Sequence, residues 1–199
     1  MTHVDYYVSL NSPWTHLGAG RFERMVAEHG ATIRYPVDFG GVIFPGSGGL
    51  PLPKRAPERQ AYRMMELRRW REETGEPIML EPKFFPASEI AAACVVIAVR
   101  ETIGDGPAMA LAHRVLKALW QEEKNPADGA TLKALIDDAG LDGAKVLTLA
   151  AEPKWAERRI ADSQAALARG VFGAPSYVID GEIFWGQDRL EFVQKKLAG

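Results

Sequence analysis

The sequence predicts an α/β fold in which a small sheet is assembled from the two ends of the chain, with a block of helices inserted between them. Three observations predict it. A β-branched and aromatic run, Val4 to Leu10 (VDYYVSL), meets a helix start at Asn11-Ser12-Pro13. About a hundred consecutive residues in the middle carry helical patterning and no clear strand. Strand character returns only around Asp180-Gly181, the strongest short hairpin signal in the chain.

Taken in order, Val4 to Leu10 reads as a buried strand. Ser12 is a good N-cap, and Pro13 suits the first helical position, where its missing N–H has no partner to lose. The helix that follows runs to about Glu28, with Leu17, Phe22, Met25 and Val26 as core contacts and Gly30 as the residue that ends it. Thr32 to Phe39 (TIRYPVDF) is a second strand, and Pro36 places it at an edge or bulge. A strand, helix and strand in this order form a right-handed crossover with parallel strands. Gly40 to Pro57 is rich in Gly and Pro and reads as a long loop, functional or mobile. Glu58 to Thr74 is a helix with Arg59, Arg63, Arg68, Arg69 and Arg71, a pattern that usually marks a solvated face. Further helices fit Ser88 to Arg100, capped by Ser88, then Pro107 to Glu123, Asp128 to Ala139 and Pro153 to Arg169. Pro175 to Ile179 and Glu182 to Trp185 form the hairpin, and Gln187 to Leu197 is the last helix.

The order β-α-β, helices, β-β-α is thioredoxin-like with a large α-helical insertion. The expected division is residues 1–60 and 170–199 for the thioredoxin-like domain and 61–169 for the inserted helical domain. The chain has 199 residues, ordinary globular composition and a formal net charge of -2, so nothing in it favours nucleic acid or an anionic membrane surface. Cys94 is the single cysteine, which excludes an intrachain disulfide. No signal peptide and no apolar run near the ~20 residues of a membrane span stand out. A cytoplasmic setting is therefore the expectation.

Three distant features converge in this fold: Ser12-Pro13 at the first helix, Ala174-Pro175 before the third strand, and Gly186-Gln187-Asp188 at the last helix. In a thioredoxin-like fold the bond before Pro175 is cis, a state of only about 5–6% of X–Pro bonds. It turns a backbone edge toward the first helix, where a peptide-like ligand pairs as an added strand does. The helix N-terminus favours a negative sulfur or phosphate. Redox members of the fold carry two cysteines there. This chain has Ser12-Pro13-Trp14-Thr15, so any thiol at this corner is borrowed from a ligand.

Magnitudes say what Ser12 must do. A free thiol titrates near 8.5, and a shift of two units requires about 2.7 kcal/mol. A helix dipole supplies ~0.3–1 kcal/mol. A hydroxyl donating to the thiolate adds ~1.5–3 kcal/mol. The dipole alone is too weak, and the hydroxyl and dipole together suffice. Capping is the other reading of Ser12, and one hydroxyl serves both by donating to sulfur while accepting a backbone N–H. Asp188 and the last helix start read either as a plain cap or as a mount for a ligand's ammonium and carboxylate.

The strand and helix start (YYVSLNSPWTHLG), the block FGAPSYVIDGEIFWGQDRLEF and the helix PERQAYRMMELRRW together resemble the 2-hydroxychromene-2-carboxylate isomerase family. That family is close to the kappa-class glutathione transferases within the DsbA-like thioredoxin superfamily. The resemblance spans nearly the whole chain and is most specific in the C-terminal block. It implies glutathione as cofactor, a homodimer, and a site started by Ser12, Pro13 and Trp14, with Ser12 as the thiolate-activating serine. It also implies that the Ala174 backbone, before cis Pro175, pairs with the cysteinyl group of glutathione. Gln187 and Asp188 then hold the γ-glutamyl end.

Two positions depart from the family pattern. Gly49 stands where the family has an Asn in a G-N-x-P-P stretch and carries no amide for that glutathione contact. His16 stands where a second aromatic is usual, and either faces the substrate or packs as a bland residue. The activity implied is glutathione-dependent cis-trans isomerisation of an aromatic-degradation intermediate, a small aromatic carboxylate. Its charge calls for a cation, for which Lys54 and Arg55 are the candidates. The alternatives are a kappa-type transferase or peroxidase acting on electrophiles or hydroperoxides, and a binding protein that keeps the fold without activity.

Overall fold

The computed structural model describes residues 3–29 and 32–199, with the backbone alone for 32–36. Gly30, expected to end the first helix, lies outside the described residues. Four strands form one sheet in the order β2-β1-β3-β4: β1 His3–Val8, β2 Thr32–Pro36, β3 Ser176–Ile179 and β4 Glu182–Trp185. β1 and β2 are parallel and the other pairs antiparallel. β2 is an edge strand, and its register with β1 shifts before Val8↔Pro36, as the proline suggested.

β1 is apolar because both its faces are covered. Val4, Tyr6 and Val8 face α1 (Pro13–His29) and α9 (Leu190–Ala198), meeting Phe22, Met25, Val193 and Leu197. Tyr7 points the other way, into a cluster with Phe39, Ile43 and Val171 that α8 (Lys154–Ala168) closes with Ala166. Tyr6 also stacks on its cross-strand partner Tyr177, with ring centroids 5.1 Å apart. The Asp180-Gly181 turn has positive φ at both residues, 51° and 82°, the conformation for which that dipeptide is selected.

The helical block comprises α3 (Pro57–Thr74), α4 (Ile90–Thr102), α5 (Asp105–Gln121), α6 (Gly129–Asp138), α7 (Gly143–Ala150) and α8. α4 is buried from Ala92 to Arg100 and is the centre of this block, packed by Leu111 and Val115 of α5 and Leu135 of α6. Its apolar sequence all round reflects that position.

Three expectations are corrected. The segment from Gly40 to Pro57 is not an open loop. It holds a π-helical turn at Phe39–Ile43, the short helix α2 (Phe44–Ser47) and a 3-10 turn at Leu52–Lys54. Asp38 starts it by accepting the Gly41 N–H at 2.7 Å, and Gly46 lies so close to Leu167 of α8 that a Cβ there has no room. Second, Ser88 does not cap α4; Glu89 occupies that place, and its carboxylate is turned elsewhere. Third, α7 was not foreseen, because eight residues started by Asp142 carry too short a periodic signal.

Candidate active site at the start of the first helix

The corner between β1 and α1 is built by hydrogen bonds from distant parts of the chain. The Ser12 N–H donates to Ser9 O at 3.0 Å, tightening the turn. The Ser9 hydroxyl and the Asn11 N–H both donate to Glu89 Oε2, at 2.9 and 3.2 Å. The Asn11 amide grips Ala87 at both ends, donating to its carbonyl at 2.7 Å and accepting its N–H at 3.0 Å. Arg159, nearly buried, then bridges Glu89 Oε1 at 3.3 Å and Asp38 Oδ2 at 3.2 Å. Burial pushes the Glu89 carboxyl above its usual range, opposed by the Ser9 hydroxyl and Arg159.

Ser12 is 9% exposed. Its Oγ accepts the Thr15 N–H at 3.2 Å, so it caps α1. The same Oγ donates to the Ala174 carbonyl at 3.4 Å, a long bond. The Ala174-Pro175 peptide is cis, and the Pro175 carbonyl accepts the Gly186 N–H at 2.9 Å. Two backbone donors at this corner have no partner among the described residues, the N–H groups of Trp14 and Ala174. Thus the three expected features do meet: the helix start, the cis-proline edge and the start of the last helix.

The side chains at that last start divide into two roles. Asp188 is exposed and ion-paired to Arg189 at 2.9 Å, and its Oδ1 folds back over Gly186, whose φ of 103° and missing Cβ make the room. Gln187, expected beside Asp188 as a ligand mount, sits in the seam with α1. It is 1% exposed, and Arg21 of α1 donates to both its side-chain oxygen and its backbone carbonyl, the latter at 3.2 Å. Gly18 lets this seam close, since a Cβ there would lie 2.8 Å from Gln187 Cβ.

The remaining candidates are placed by their own contacts. His16 is 3% exposed, and its Nε2 lies 3.0 Å from the Pro77 carbonyl, so it packs between α1 and the segment after α3 rather than facing a substrate. Burial holds its pKa below the ordinary value. Gly49 offers no side chain and is pressed on the Phe44 ring, where a Cβ would sit 2.5 Å from Cδ1; its N–H is taken by the Phe44 carbonyl. Lys54 is exposed, and Arg55 uses Nε on the Leu50 carbonyl at 2.8 Å. Trp14 is half-buried beside Leu17, Phe85 and Trp120. Cys94, the one thiol, is buried in α4, where burial raises its pKa.

Sequence reasoning missed Asn11, Glu89 and Arg159, whose partners lie on other elements and leave no local pattern. Arg63 was seen only as part of a basic face. Among the described residues no cluster of His, Cys, Asp and Glu suits a metal, and no helix is long and apolar enough to cross a membrane.

Comparison with known proteins agrees with this architecture. The chain is 28% identical to 2-hydroxychromene-2-carboxylate isomerase of Sphingobium xenophagum, covering 98% of this chain and 97% of that protein. It is 28% identical to the enzyme of the same name from Pseudomonas putida, covering 98% and 94%. A solved 2-hydroxychromene-2-carboxylate isomerase superposes with a TM-score of 0.81 at 25% identity, covering 98% of this chain and 94% of the other. The cytosolic disulfide reductase DsbM of Pseudomonas aeruginosa, solved with GSH, shares the fold with a TM-score of 0.65 at 20% identity, covering 98% and 96%. The resemblance drawn from the sequence therefore holds over the whole length, and it supports an isomerase role. The sheet order, the cis proline facing the first helix and a family model matching residues 3–198 place the chain in the family of DSBA-like thioredoxin domains.

Proposed function

We propose that the chain is a glutathione-dependent cis-trans isomerase of a 2-hydroxychromene-2-carboxylate type of substrate. The observation that carries this reading is the Ser12 hydroxyl, which lies at a helix start and within 3.4 Å of the Ala174 carbonyl, at a corner with no cysteine of its own. The residues present fit glutathione in part. Ala174 offers an N–H with no partner among the described residues and a carbonyl held only by a long bond, a pair suited to a cysteinyl backbone. Asp188 is exposed and suits an ammonium. Gln187 and Gly49 do not contribute side chains, for the reasons given above.

When bound, glutathione would supply a thiolate nucleophile for reversible addition to a conjugated carbon, the chemistry that frees a double bond to rotate. Ser12 holds the sulfur in its charged form by donating the hydroxyl proton, with the Trp14 N–H and the dipole of α1 behind it. The Thr15 N–H on Oγ orients that hydroxyl. Arg21, by gripping Gln187, fixes the last helix start so that Asp188 stays at the edge of the site. Trp14 shields one side of the corner from water. The assay is turnover of 2-hydroxychromene-2-carboxylate by the purified protein with and without glutathione. The expectation is turnover that requires glutathione; no turnover, or turnover indifferent to it, refutes the reading.

A further inference from the structure

Arg63 of the α3 basic face is half-buried, whereas Arg59, Arg68 and Arg69 are exposed. Its Nη2 is buried with no hydrogen-bond partner, and its Nη1 reaches only the Met64 sulfur at 3.7 Å. The guanidinium lies over the Phe85 ring, 5.3 Å from the centroid. No carboxylate of the described residues pairs with it, and the charge that acts on it is another cation, Arg55. Burial, with Arg55 second, lowers its pKa to about 10. Two more deeply buried arginines show what this chain does otherwise: Arg100 meets Asp162 at 2.8 Å, and Arg159 meets Asp38 and Glu89. A half-buried guanidinium facing a second cation is costly to fold, and cation–π contact offsets only part of that cost. An anion placed between them removes the cost.

The position is close to the proposed site. Phe85 lies two residues before Ala87, which Asn11 grips on both sides, and Asn11 precedes Ser12. Phe85 and Trp14 belong to one apolar cluster, and Phe85 packs on Trp120 with centroids 4.9 Å apart. An aromatic floor ending in an unpaired guanidinium suits a planar conjugated ring bearing a carboxylate. We infer that Arg63, seconded by Arg55, is the carboxylate anchor of the substrate site, with Phe85 and Trp14 as the walls against which the ring lies. The assignment rests on the isomerase reading for the identity of the substrate, but the anion site itself does not require turnover.

The test uses 2-naphthoate and its uncharged amide as probes, with binding to the full chain followed by calorimetry. Wild type binds 2-naphthoate and discriminates against the amide. Arg63→Met loses roughly tenfold to hundredfold in 2-naphthoate affinity and leaves the amide unchanged, as removal of a hydrogen bond to a charge requires. Arg63→Lys retains part of the affinity, and Arg55→Gln loses less than Arg63→Met. Because an unpaired charge is removed, Arg63→Met melts no lower than wild type, which a merely structural arginine does not allow. Equal affinity of wild type and Arg63→Met for 2-naphthoate overturns the inference, as does equal affinity of wild type for acid and amide. If the isomerase reading fails, turnover is absent while carboxylate binding still depends on Arg63. If the anchor fails, turnover persists with an unchanged KM in Arg63→Met.

Discussion

Replacing Ser12 with alanine separates the two jobs of one hydroxyl. The first job is the cap on α1, read from the 3.2 Å contact with the Thr15 N–H. Its loss costs about 1 kcal/mol of stability. For a chain of this size that lowers the melting temperature by about 2–4 °C. The bond to the Ala174 carbonyl, at 3.4 Å, is too long to add much. The second job is donation to a bound thiolate, worth ~1.5–3 kcal/mol. At 1.36 kcal/mol per pKa unit, Ser12→Ala raises the thiol pKa by about 1–2 units. Below that pKa the thiolate fraction, and with it the rate, falls roughly tenfold to hundredfold. The assay is turnover against pH at saturating glutathione. The acid limb moves to higher pH by the same one to two units, and part of the lost rate returns in alkali. Ser12→Asp is the control, since aspartate caps as well as serine but repels a thiolate. It keeps the melting temperature and is slower than Ser12→Ala. A Ser12→Ala variant that melts lower but turns over normally at neutral pH leaves Ser12 a cap and nothing else, and the reasoning fails.

Other outcomes follow from the same contacts. Asp188→Asn weakens glutathione binding about tenfold, measured by calorimetry, and leaves stability unchanged because the side chain is exposed. Glu89→Ala strips Arg159 of one of its two carboxylates and frees Ser9 and Asn11, and destabilises the fold by about 3–5 kcal/mol in urea titration. Gly18→Ala gains up to ~1 kcal/mol of helix propensity but forces a Cβ to 2.8 Å from Gln187 Cβ; overpacking of ~1–3 kcal/mol prevails, and the urea midpoint falls. His16 is held neutral by burial, so its folded pKa lies below that of the unfolded chain. Its contribution to stability is present above the unfolded value near 6.5 and is lost as pH falls through the folded value. His16→Gln removes that part of the acid sensitivity, seen as a flatter stability profile between about pH 7 and 5.

What the sequence made legible was local or strongly periodic. Ser12-Pro13 announced the helix start, Asp180-Gly181 the hairpin, and the all-apolar run of α4 a buried helix. Pro36 announced an edge and a register shift. The start of α4 was misjudged because Ser88 has the cap chemistry, whereas Glu89 is held by Ser9 and Asn11 of the β1–α1 turn and by Arg159 of α8. Gln187 looked like a ligand mount because it opens a helix, yet Arg21 had already claimed it across the α1 seam. Arg63 looked solvated because Arg59, Arg68 and Arg69 on the same helix are, and the return of Phe85 over that turn distinguishes it from them. Such contacts leave no trace in spacing.

The shared bond between Ser12 and Ala174 bears on which thiols this corner can accept. Ser12 has one proton to give, and in the resting protein it goes to the Ala174 carbonyl. A thiolate that takes that proton leaves the carbonyl without even this long bond, unless another donor arrives. A peptide thiol brings its own amide N–H and restores the balance in the same event. A small thiol such as mercaptoethanol brings none. The corner thereby sorts thiols by the backbone attached to them, a preference that arises from one hydroxyl having a single hydrogen.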